Sequence, residues 1–450
     1  MGSSKEAAFG PKKRPEQNGG DGCGNAVAGR MREDVSGLFP VENDFFGHET
    51  KKKGSRSGAV EVFSAAVPGP AFQERGEPKM KFKVNREKLS KALQKVGGLT
   101  GSRNIMPLLN NVLLRAEDNM LYLTTSDLEM RMNTSIEAEV QEPGITTVPS
   151  KQLSSLTSSM NGADVEFTVD DGDHINIVCG TGKFRLLGLP GADYPVENEF
   201  TPQREVRIRE SEFKSLINSV SYAVSQDASR KALTGVFFNI VDGTLALVAT
   251  DGKRLAMHEK TPESVTGDNG SAIVPLKAVA KISSMLEGDG TLKIAIGDKF
   301  CSFETAGFSM SSKLIEGNYP NYRSVVPTSF EQIIVLPVEP LLSKVETVSL
   351  MLPDATFSVV LKFGDNRVNI EAVSSELGEG SDFVEVQFDG EPFEVSFNPH
   401  FLIAPLKNTG AETIKFKLND PLNPVAFEAE EGFVNVIMPI RKKAPAAPQQ

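Results

Sequence analysis

The stretch LALVATDGKRLAM (residues 245–257) has the make-up of an active-site loop, because an acid, a glycine and two cations follow a run of strand-forming residues. A comparable stretch, LYLTTSDLEMRM (residues 121–132), holds Asp127 in the place of Asp251 but differs in the residues that follow. One acid in two similar settings indicates a repeated building block. The question is whether the second copy has a role that the first lacks.

Other patterns that resemble catalytic, phosphate-binding or metal-binding motifs lack the residues or the spacing that these sites require. GTGKF (residues 180–184) lacks the first glycine and the final hydroxyl of a phosphate-binding loop, since Ile177 and Phe184 occupy those positions. Asp173 and Asp365 fall in turns, where Asp commonly caps its own backbone, and no GxSxG motif occurs. The four histidines share no spacing typical of metal ligands: His48, His174, His258 and His400. The sequence thus predicts no catalytic residue, no metal and no cofactor.

Composition narrows the class of protein. The chain has 450 residues and a formal net charge of −11, which argues against a simple nucleic-acid coat but leaves room for a local basic face. Cys23, Cys179 and Cys301 are few and far apart, so a disulfide framework is not expected and a reducing cytoplasm is favoured. No run of 18 apolar residues is present, and no membrane span is expected.

The two ends of the chain differ from the part between them. Residues 1–79 are rich in Gly, Ser, Pro and Ala without sustained periodicity, so we expect a disordered extension. Regular patterning begins at MKFKVNREKL, which makes Met80 a possible true start of translation. Residues 442–450 (KKAPAAPQQ) are expected to form a disordered tail.

The intervening residues repeat one unit three times. Each unit begins with a strand and a helix, continues with a hairpin, then a second strand and helix, and closes with paired strands. The predicted domains are residues 80–201, 202–328 and 329–441. The fold class is therefore α+β, with helices gathered on one face of antiparallel sheets.

The helices are predicted to carry basic faces. Lys88, Lys91 and Lys95 recur at i, i+3 and i+7 in the first helix, opposite the apolar residues, and Lys277 and Lys281 are placed similarly in the fourth. Helices in equivalent positions of three domains could form one basic surface inside an acidic body. Such a surface suits the phosphate backbone of a nucleic acid, which is recognised without regard to sequence.

At this point the sequence resembles a known family. TTSDLEMRM, VATDGKRLA, IEGNYPNYRSVVP and VIMPIR, in this order, are similar to motifs of the beta sliding clamp of bacterial DNA polymerase III. The resemblance spans residues 80–441. It implies a DNA polymerase processivity factor without a catalytic site, located in the cytoplasm. It also implies three DNA-clamp domains per chain, with antiparallel sheets outside and two helices each lining a central hole.

The resemblance further implies the partners. Two chains would close head to tail into a homodimeric ring around double-stranded DNA. The protein partners would be the DNA polymerase III catalytic subunit, the clamp loader complex, and other polymerases and repair proteins that carry clamp-binding peptides. Two other classes remain open at this stage. They are a non-replicative β-rich repeat scaffold or adhesin, and a clamp with nuclease activity.

Site residues follow from the same resemblance. The pocket for a partner's peptide would consist of Leu233, Thr250, Gly252, Arg254, Leu255, Pro320, Val325, Val436, Met438, Pro439, Ile440 and Arg441. The DNA contacts would be Arg103, Lys151, Gln226, Arg230 and Lys277. Ile440 stands where many members have Met, and the third domain lacks the Arg often found near the start of its hairpin.

Overall fold

The computed structural model describes residues 79–99, 106–195, 200–353, 358–429 and 432–441. The predictions for residues 1–78, for the tail 442–450 and for Arg103 lie outside these ranges. Lys79, which the sequence places in the extension, is part of the fold. Its backbone N–H donates to the Val169 carbonyl at 2.9 Å, and its Nζ lies 3.0 Å from the Asp173 carboxylate.

The threefold repeat is visible in the order of the elements, and we keep the predicted bounds to name the first, second and third domains. The helices, two per domain, are α1 (Arg86–Val96), α2 (Ser150–Ser159), α3 (Glu210–Val220), α4 (Leu276–Met285), α5 (Val338–Ser349) and α6 (Pro399–Asn408). The strands of the first domain are β1 (Met80–Asn85), β2 (Asn111–Glu117), β3 (Met120–Ser126), β4 (Met130–Glu137), β5 (Glu139–Glu142), β6 (Gly144–Pro149), β7 (Asp164–Val169), β8 (His174–Cys179), β9 (Gly182–Leu187) and β10 (Leu189–Pro190).

The other two domains follow the same order. The strands of the second domain are β11 (Arg204–Arg209), β12 (Gly235–Val241), β13 (Thr244–Thr250), β14 (Arg254–Lys260), β15 (Ser264–Gly267), β16 (Gly270–Pro275), β17 (Thr291–Ile296), β18 (Phe300–Glu304) and β19 (Ser309–Lys313). Those of the third are β20 (Gln332–Pro337), β21 (Val359–Gly364), β22 (Arg367–Ser374), β23 (Gly378–Glu385), β24 (Phe393–Phe397), β25 (Thr413–Leu418), β26 (Val425–Glu428) and β27 (Phe433–Ile437).

Local sequence explains the helices. The Asn85 side chain accepts from the backbone N–H groups of Glu87 and Lys88, at 3.1 and 3.2 Å, and so caps α1. One side of α1 is buried against the sheets, and Lys88 and Lys91 lie on the exposed side, as predicted. In α6, Pro399 occupies the first turn, where its missing N–H costs nothing, and Asn398 caps the helix.

Two of the sheets cross domain boundaries. Strand β4 of the first domain pairs with β19 of the second, which produces a sheet in the order β10-β6-β2-β3-β4-β19-β18-β17-β11-β15. Strand β14 of the second domain pairs with β27 of the third in the sheet β16-β12-β13-β14-β27-β26-β25-β20. The remaining sheets, β5-β1-β7-β8-β9 and β23-β22-β21-β24, lie in the first and third domains. Backbone ladders therefore join neighbouring domains into one body.

The apolar core is divided unequally among the domains. Buried residues of the first and second domains form one continuous cluster, and those of the third form another. A smaller cluster lies where the second and third domains meet and includes Val248, Leu255, Tyr322 and Val436. The third domain is thus attached through this cluster and the β14–β27 ladder.

Candidate functional site

Asp127 and Asp251, which occupy equivalent positions in the sequence repeat, lie in the same kind of turn. Asp251 Oδ1 accepts from the N–H groups of Lys253 and Arg254, at 2.9 and 3.0 Å. Asp127 Oδ1 accepts from Glu129 and Met130 in the same way, at 3.1 and 2.7 Å. Both acids therefore cap the start of a strand.

The residues around the two aspartates repeat this geometry. The Thr250 hydroxyl donates to the Arg254 carbonyl at 2.6 Å and accepts from the Gly252 N–H, while Ser126 makes the corresponding bonds in the first domain. The third position of the turn has positive φ, 85° at Gly252 and 74° at Leu128. Glycine adopts this backbone conformation without strain, whereas leucine does not.

The second oxygen of each acid differs in its partner. Asp127 Oδ2 forms an ion pair with Lys277 of the second domain. Asp251 Oδ2 lies 3.1 Å from Nε of Arg254, whose Nη2 donates to the Tyr222 carbonyl at 2.6 Å. The Arg254 guanidinium also lies 4.7 Å from the centre of the Phe401 ring in α6 of the third domain. Arg254 is therefore held between the second and third domains by charge, hydrogen bonding and stacking.

The end of the described chain bridges the same two domains. The Met438 N–H donates to the Lys253 carbonyl at 3.0 Å, and the Ile440 N–H donates to the Ser396 carbonyl at 2.7 Å. These bonds fix the backbone of residues 438–440, while the side chains of Met438 and Ile440 stay exposed. Met438 is 41% exposed and Ile440 is 38% exposed. Apolar side chains presented this way on a fixed backbone can receive the apolar anchors of a peptide.

Two further segments converge on this place. Tyr319 stacks on Phe237, with ring centres 4.5 Å apart, and its hydroxyl lies 3.4 Å from the Val248 carbonyl. Pro320 and the 45% exposed Val325 follow Tyr319 along the chain.

The last segment is the loop that contains Leu233. The Leu233 N–H donates to the Arg230 carbonyl at 2.8 Å, and Arg230 Nη1 donates to the Asp251 carbonyl at 2.9 Å. Arg230 thus connects the loop to the turn that precedes β14.

The predicted pocket residues divide into two groups. Leu255 and Val436 are register partners in the β14–β27 ladder and are buried, as is Thr250. Pro320, Val325, Met438, Ile440 and Arg441 are exposed and available for contact, with Leu233 and Pro439 half-buried. Of the predicted set, Arg254 is committed to contacts within the chain.

Sequence reasoning missed the residues that hold this site together. Tyr222 and Phe401 enclose Arg254, and Asn435 of β27 donates to the Tyr222 hydroxyl at 2.8 Å. Burial raises the pKa of the Tyr222 hydroxyl, which therefore stays protonated. Ser396 fixes Ile440 through its carbonyl group. Main-chain acceptors and residues more than 100 positions away leave no signal in a sequence pattern.

The predicted DNA contacts lie in different environments. Lys151 of α2 is exposed and forms no ion pair with any described residue. Lys277 of α4 is exposed as well but is paired with Asp127. Gln226 and Arg230 lie on the loop next to the Asp251 turn, where Arg230 is 3.4 Å from Asp227. The structure therefore separates two helix lysines from the pair on the loop.

Lysines on the third-domain helices are paired with carboxylates. Lys344 Nζ of α5 is 2.7 Å from Asp382, and Lys407 Nζ of α6 is 2.6 Å from Glu346. The pKa of Asp382 is lowered, chiefly by the hydrogen bond from Lys344. Free positive charge on the described helices is therefore concentrated in the first two domains.

Neither a metal site nor a membrane span is found in the described part of the chain. Within those residues, no group of three or more His, Cys, Asp or Glu side chains is placed to hold a metal ion. None of the helices described there is long and apolar enough to cross a membrane.

Comparison with protein families matches the chain over most of its length. The DNA polymerase III beta subunit family has three domain models. The N-terminal model matches residues 80–198, the central model residues 207–321 and the C-terminal model residues 323–441.

Individual relatives agree with the family models. The chain is 31% identical to the beta sliding clamp of Salmonella typhimurium over 367 residues, which cover 80% of this chain and 100% of the relative. The crystal structure of the DNA polymerase III subunit beta from Pseudomonas aeruginosa is similar, with a TM-score of 0.78 and 30% identity over 81% of this chain and 100% of that one. The sliding clamp from Bacillus subtilis, 24% identical over the same shares, has the same fold with a TM-score of 0.78. The resemblance and the three-domain clamp fold predicted from sequence are thereby confirmed.

Proposed function

The chain belongs to the family of DNA polymerase III beta subunits, and on this premise we propose that two copies close head to tail around duplex DNA and present partner proteins with the site at residues 438–441. As a sliding clamp it is a processivity factor, an accessory subunit without a catalytic site of its own. The scaffold or adhesin alternative is not favoured.

The pattern of strand pairing between domains carries the ring proposal. The fourth strand of the first domain, β4, pairs with the last strand of the second, and β14 of the second pairs with the last strand of the third. The corresponding strand of the third domain, β23, and the last long strand of the first, β9, each lie at the edge of a sheet. Repetition of the same pairing joins β23 of one copy to β9 of the next, which is a head-to-tail contact.

The repeat also predicts the register of this contact. Met130 pairs with Ser312, and Arg254 pairs with Ile437. The ladders within each domain make Gly378 the counterpart of Met130, and Leu186 the counterpart of Ser312. Gly378 of one copy should therefore oppose Leu186 of the next.

The same register places complementary side chains opposite each other. Glu379 of one copy then faces Arg185 of the next, and Ser381 faces Lys183. The half-buried Phe184 and Leu186 face the glycines Gly380 and Gly378, which leave room for their side chains. Opposite charges and large-to-small matching across adjacent strands favour this pairing.

Cross-linking tests the proposed ring. The variant carrying both Lys183→Cys and Ser381→Cys should form a disulfide between copies on mild oxidation, because opposed residues of an antiparallel pair have Cβ atoms about 4.5–5.5 Å apart. The matched control pairs Ser381→Cys with Leu187→Cys, four residues further along β9, and should not cross-link. The single variants report any contribution from the native cysteines.

The size of the product decides between closure and open assembly. A closed two-copy ring gives one covalent species of twice the chain's mass, whereas an open head-to-tail contact gives a ladder of larger species. Cross-linking in the control alone, or a ladder, would contradict the proposal.

DNA would be held by the inner helices without sequence recognition. Lys151 of α2 is exposed without an ion pair to any described residue, and Lys277 of α4 is exposed and paired with Asp127; a phosphate backbone is the partner that exposed cations attract. Lys95 of α1 is paired with Glu287 at 3.3 Å, so attraction at the inner face would be moderate. Moderate attraction suits a ring that has to slide.

The partner proteins would be the replicative polymerase subunit, the clamp loader, and other polymerases and repair proteins with apolar peptide motifs. Support comes from the three exposed apolar side chains Val325, Met438 and Ile440, which can receive the apolar anchors of a peptide. We place the protein in the cytoplasm, where the free thiols of Cys179 and Cys301, both buried, remain reduced.

A further inference from the structure

The outer edge of β20 lacks the covering strand that the other two domains have. In the first domain β5 pairs with β1 and places Val140 opposite Phe82. In the second, β15 pairs with β11 and places Val265 opposite Val206. Strand β20, the counterpart of β1 and β11, is the last strand of its sheet, and no described residue pairs with its outer edge.

The chain's own segment that corresponds to the covering strand makes aromatic contacts and does not pair with this edge. The Val386 N–H donates to the Asn366 carbonyl at 2.9 Å, as Ala138 does to Asn119, so both segments leave the preceding hairpin alike. Phe388 then packs on Phe363 and Phe393, with ring centres 6.1 and 5.8 Å away, and is almost fully buried. The first domain has the small Ala116 in the position of Phe363 and cannot hold its segment in this way.

A groove remains between β20 and the displaced segment. Its volume is 840 Å³, and its lining includes Val335, Pro337, Phe383, Val386 and Thr413. Alternate residues of β20 direct their N–H and C=O groups away from β25 toward this groove, since that is the geometry of an antiparallel ladder. The groove thus combines backbone groups that no described strand pairs with and a mixed lining, apolar at Val335, Pro337, Phe383 and Val386 and charged at Asp365, Arg367 and Glu385.

The exposed side chains of β20 are apolar, whereas a protected sheet edge carries charged side chains. The covered strands carry charged residues at the two outward positions, Lys81 and Lys83 in β1, and Glu205 and Arg207 in β11. The open strand carries Ile333, 56% exposed, and Val335, 52% exposed, at the same positions. Proteins normally guard free edges with charge, proline or short strands, because an apolar edge pairs with other chains.

We propose that β20 is a docking edge for an extended segment of a partner protein, which adds to the sheet as an antiparallel strand. The covering strands of the other domains specify its chemistry. Each places a valine on the counterpart of Ile334, so the partner segment carries a β-branched residue facing inward. Its two neighbours face Ile333 and Val335 and are therefore apolar.

The open edge of β20 is a different sheet edge from those used in the proposed function, although Phe383 and Glu385 of β23 also line its groove. The ring contact uses β9 and β23, and the peptide site uses residues 438–441 and the turn before β14. A partner on β20 is therefore accommodated together with a peptide at the other site. Failure of either proposal leaves the other standing.

Fluorescence anisotropy with two labelled peptides tests the docking edge. The first is PESVTGDN (residues 262–269), which contains β15, the strand that covers β11 in this chain. The second carries Ser264→Ile and Thr266→Ile, which place apolar side chains against Val335 and Ile333. The substituted peptide should bind the full chain with a Kd below about 1 mM, and about tenfold more tightly than the first.

Edge variants locate the binding. Ile333→Lys combined with Val335→Lys installs the charges of the first domain and should weaken binding by about tenfold or more without changing Tm, since both side chains are exposed. Leu422→Lys, at another exposed apolar position, is the matched control and should leave binding unchanged. Methylation of the backbone nitrogen of the peptide residue that faces Val335 should abolish binding by removing a ladder hydrogen bond, because the N–H and C=O groups of Val335 point away from β25, whereas those of Ile334 bond to it.

Three results would overturn the proposal. They are no binding of the substituted peptide at about 1 mM, binding that survives the double lysine variant, and binding that survives N-methylation. A fourth concerns a second copy of the chain. If sedimentation shows association beyond the pair, and the double lysine variant abolishes it, then the edge serves self-association and not a partner protein.

Discussion

Arg254 lies between two domains rather than on a free surface, and its side chain is 14% exposed. The sequence places it in the peptide pocket by resemblance, but its donors are already committed to Asp251 and Tyr222, and its face to Phe401. A buried cation whose hydrogen bonds and charge are satisfied within the chain stabilises the site and does not contact the peptide directly. Its removal should therefore affect stability before it affects peptide contacts.

We predict that Arg254→Ala lowers Tm by several degrees, equivalent to about 2 kcal/mol, because the Tyr222 carbonyl loses a charged donor and Phe401 loses its stacking partner. Thermal unfolding followed by circular dichroism measures the change. Lys253→Ala, at the exposed neighbouring position, is the control and should change Tm little. Unchanged stability together with a large loss of peptide affinity would instead make Arg254 a direct peptide contact.

Lys79 supports a second prediction at this scale. Asp173 is buried and accepts from Lys79 and from the Thr146 hydroxyl, at 3.0 and 3.1 Å. A chain that begins at Met80 should therefore be less stable than one that begins at Lys79, by about 1 kcal/mol, because a buried carboxylate loses its cation. The measurement also bears on the sequence-based prediction that Met80 is a possible true start of translation.

Denaturant unfolding of the two shortened chains measures this difference. Lys81→Ala is the matched control, since Lys81 pairs with Glu166 at 3.5 Å on the surface, and such exposed pairs contribute little. Equal midpoints for the two shortened chains would show that the Lys79–Asp173 pair adds nothing to stability.

At the scale of elements, the sequence was sufficient for strand and helix order but not for contacts between repeats. Alternating apolar residues and helical spacing identified the units, because each element buries one face within its own domain. The β14–β27 ladder joins residues such as Leu255 and Val436, which are far apart in the chain, and local pattern carries no information on such pairs.

In the third domain, too, the sequence pattern did not predict where one segment packs. Its hairpin and helices follow the repeat, yet the segment that contains Phe388 does not pair with β20, and Phe388 packs on Phe363 and Phe393. The segment QFDG has the composition of a covering strand. The segment can either pair with the edge of β20 or pack on Phe363 and Phe393. The sequence alone does not show which of the two arrangements is more stable.

The C-terminal strip gives the prediction for this scale. Ending the chain after Ile437 should abolish binding of an apolar clamp-binding peptide, since Met438 and Ile440 supply exposed anchors and their backbone is fixed to Lys253 and Ser396. Pairing of copies should be unaffected, because β27 ends at Ile437 and remains in its ladder. Calorimetry with the peptide and sedimentation of the chain measure the two properties.

Ending the chain after Arg441 is the control for this experiment, because it removes residues 442–450 and retains the strip. It should bind the peptide normally. If the chain that ends after Ile437 also binds normally, the strip is not part of the peptide site.

For the whole molecule, the acidic body and the few free cations determine how DNA is retained. The net charge is −11, and the third-domain helix lysines Lys344 and Lys407 are paired with acids. Direct affinity for free duplex should therefore be weak and should fall further as salt rises. In the proposed ring, retention depends on topology, which salt does not affect.

The final prediction separates topology from binding. Clamp loaded by a cognate loader onto nicked circular DNA should survive a wash at high salt, because a closed ring cannot leave a circle without opening. It should be lost soon after the circle is cut, by sliding off the ends, and retained if the ends are blocked by bound protein.

Reversal of charge at Arg103, Lys151 and Lys277 should reduce loading more than retention, since these cations act during capture. Gel filtration of loaded DNA before and after cutting measures each quantity. Equal retention on circles and on linear DNA with free ends would mean that the protein is held by ordinary contacts, and the ring proposal would fail.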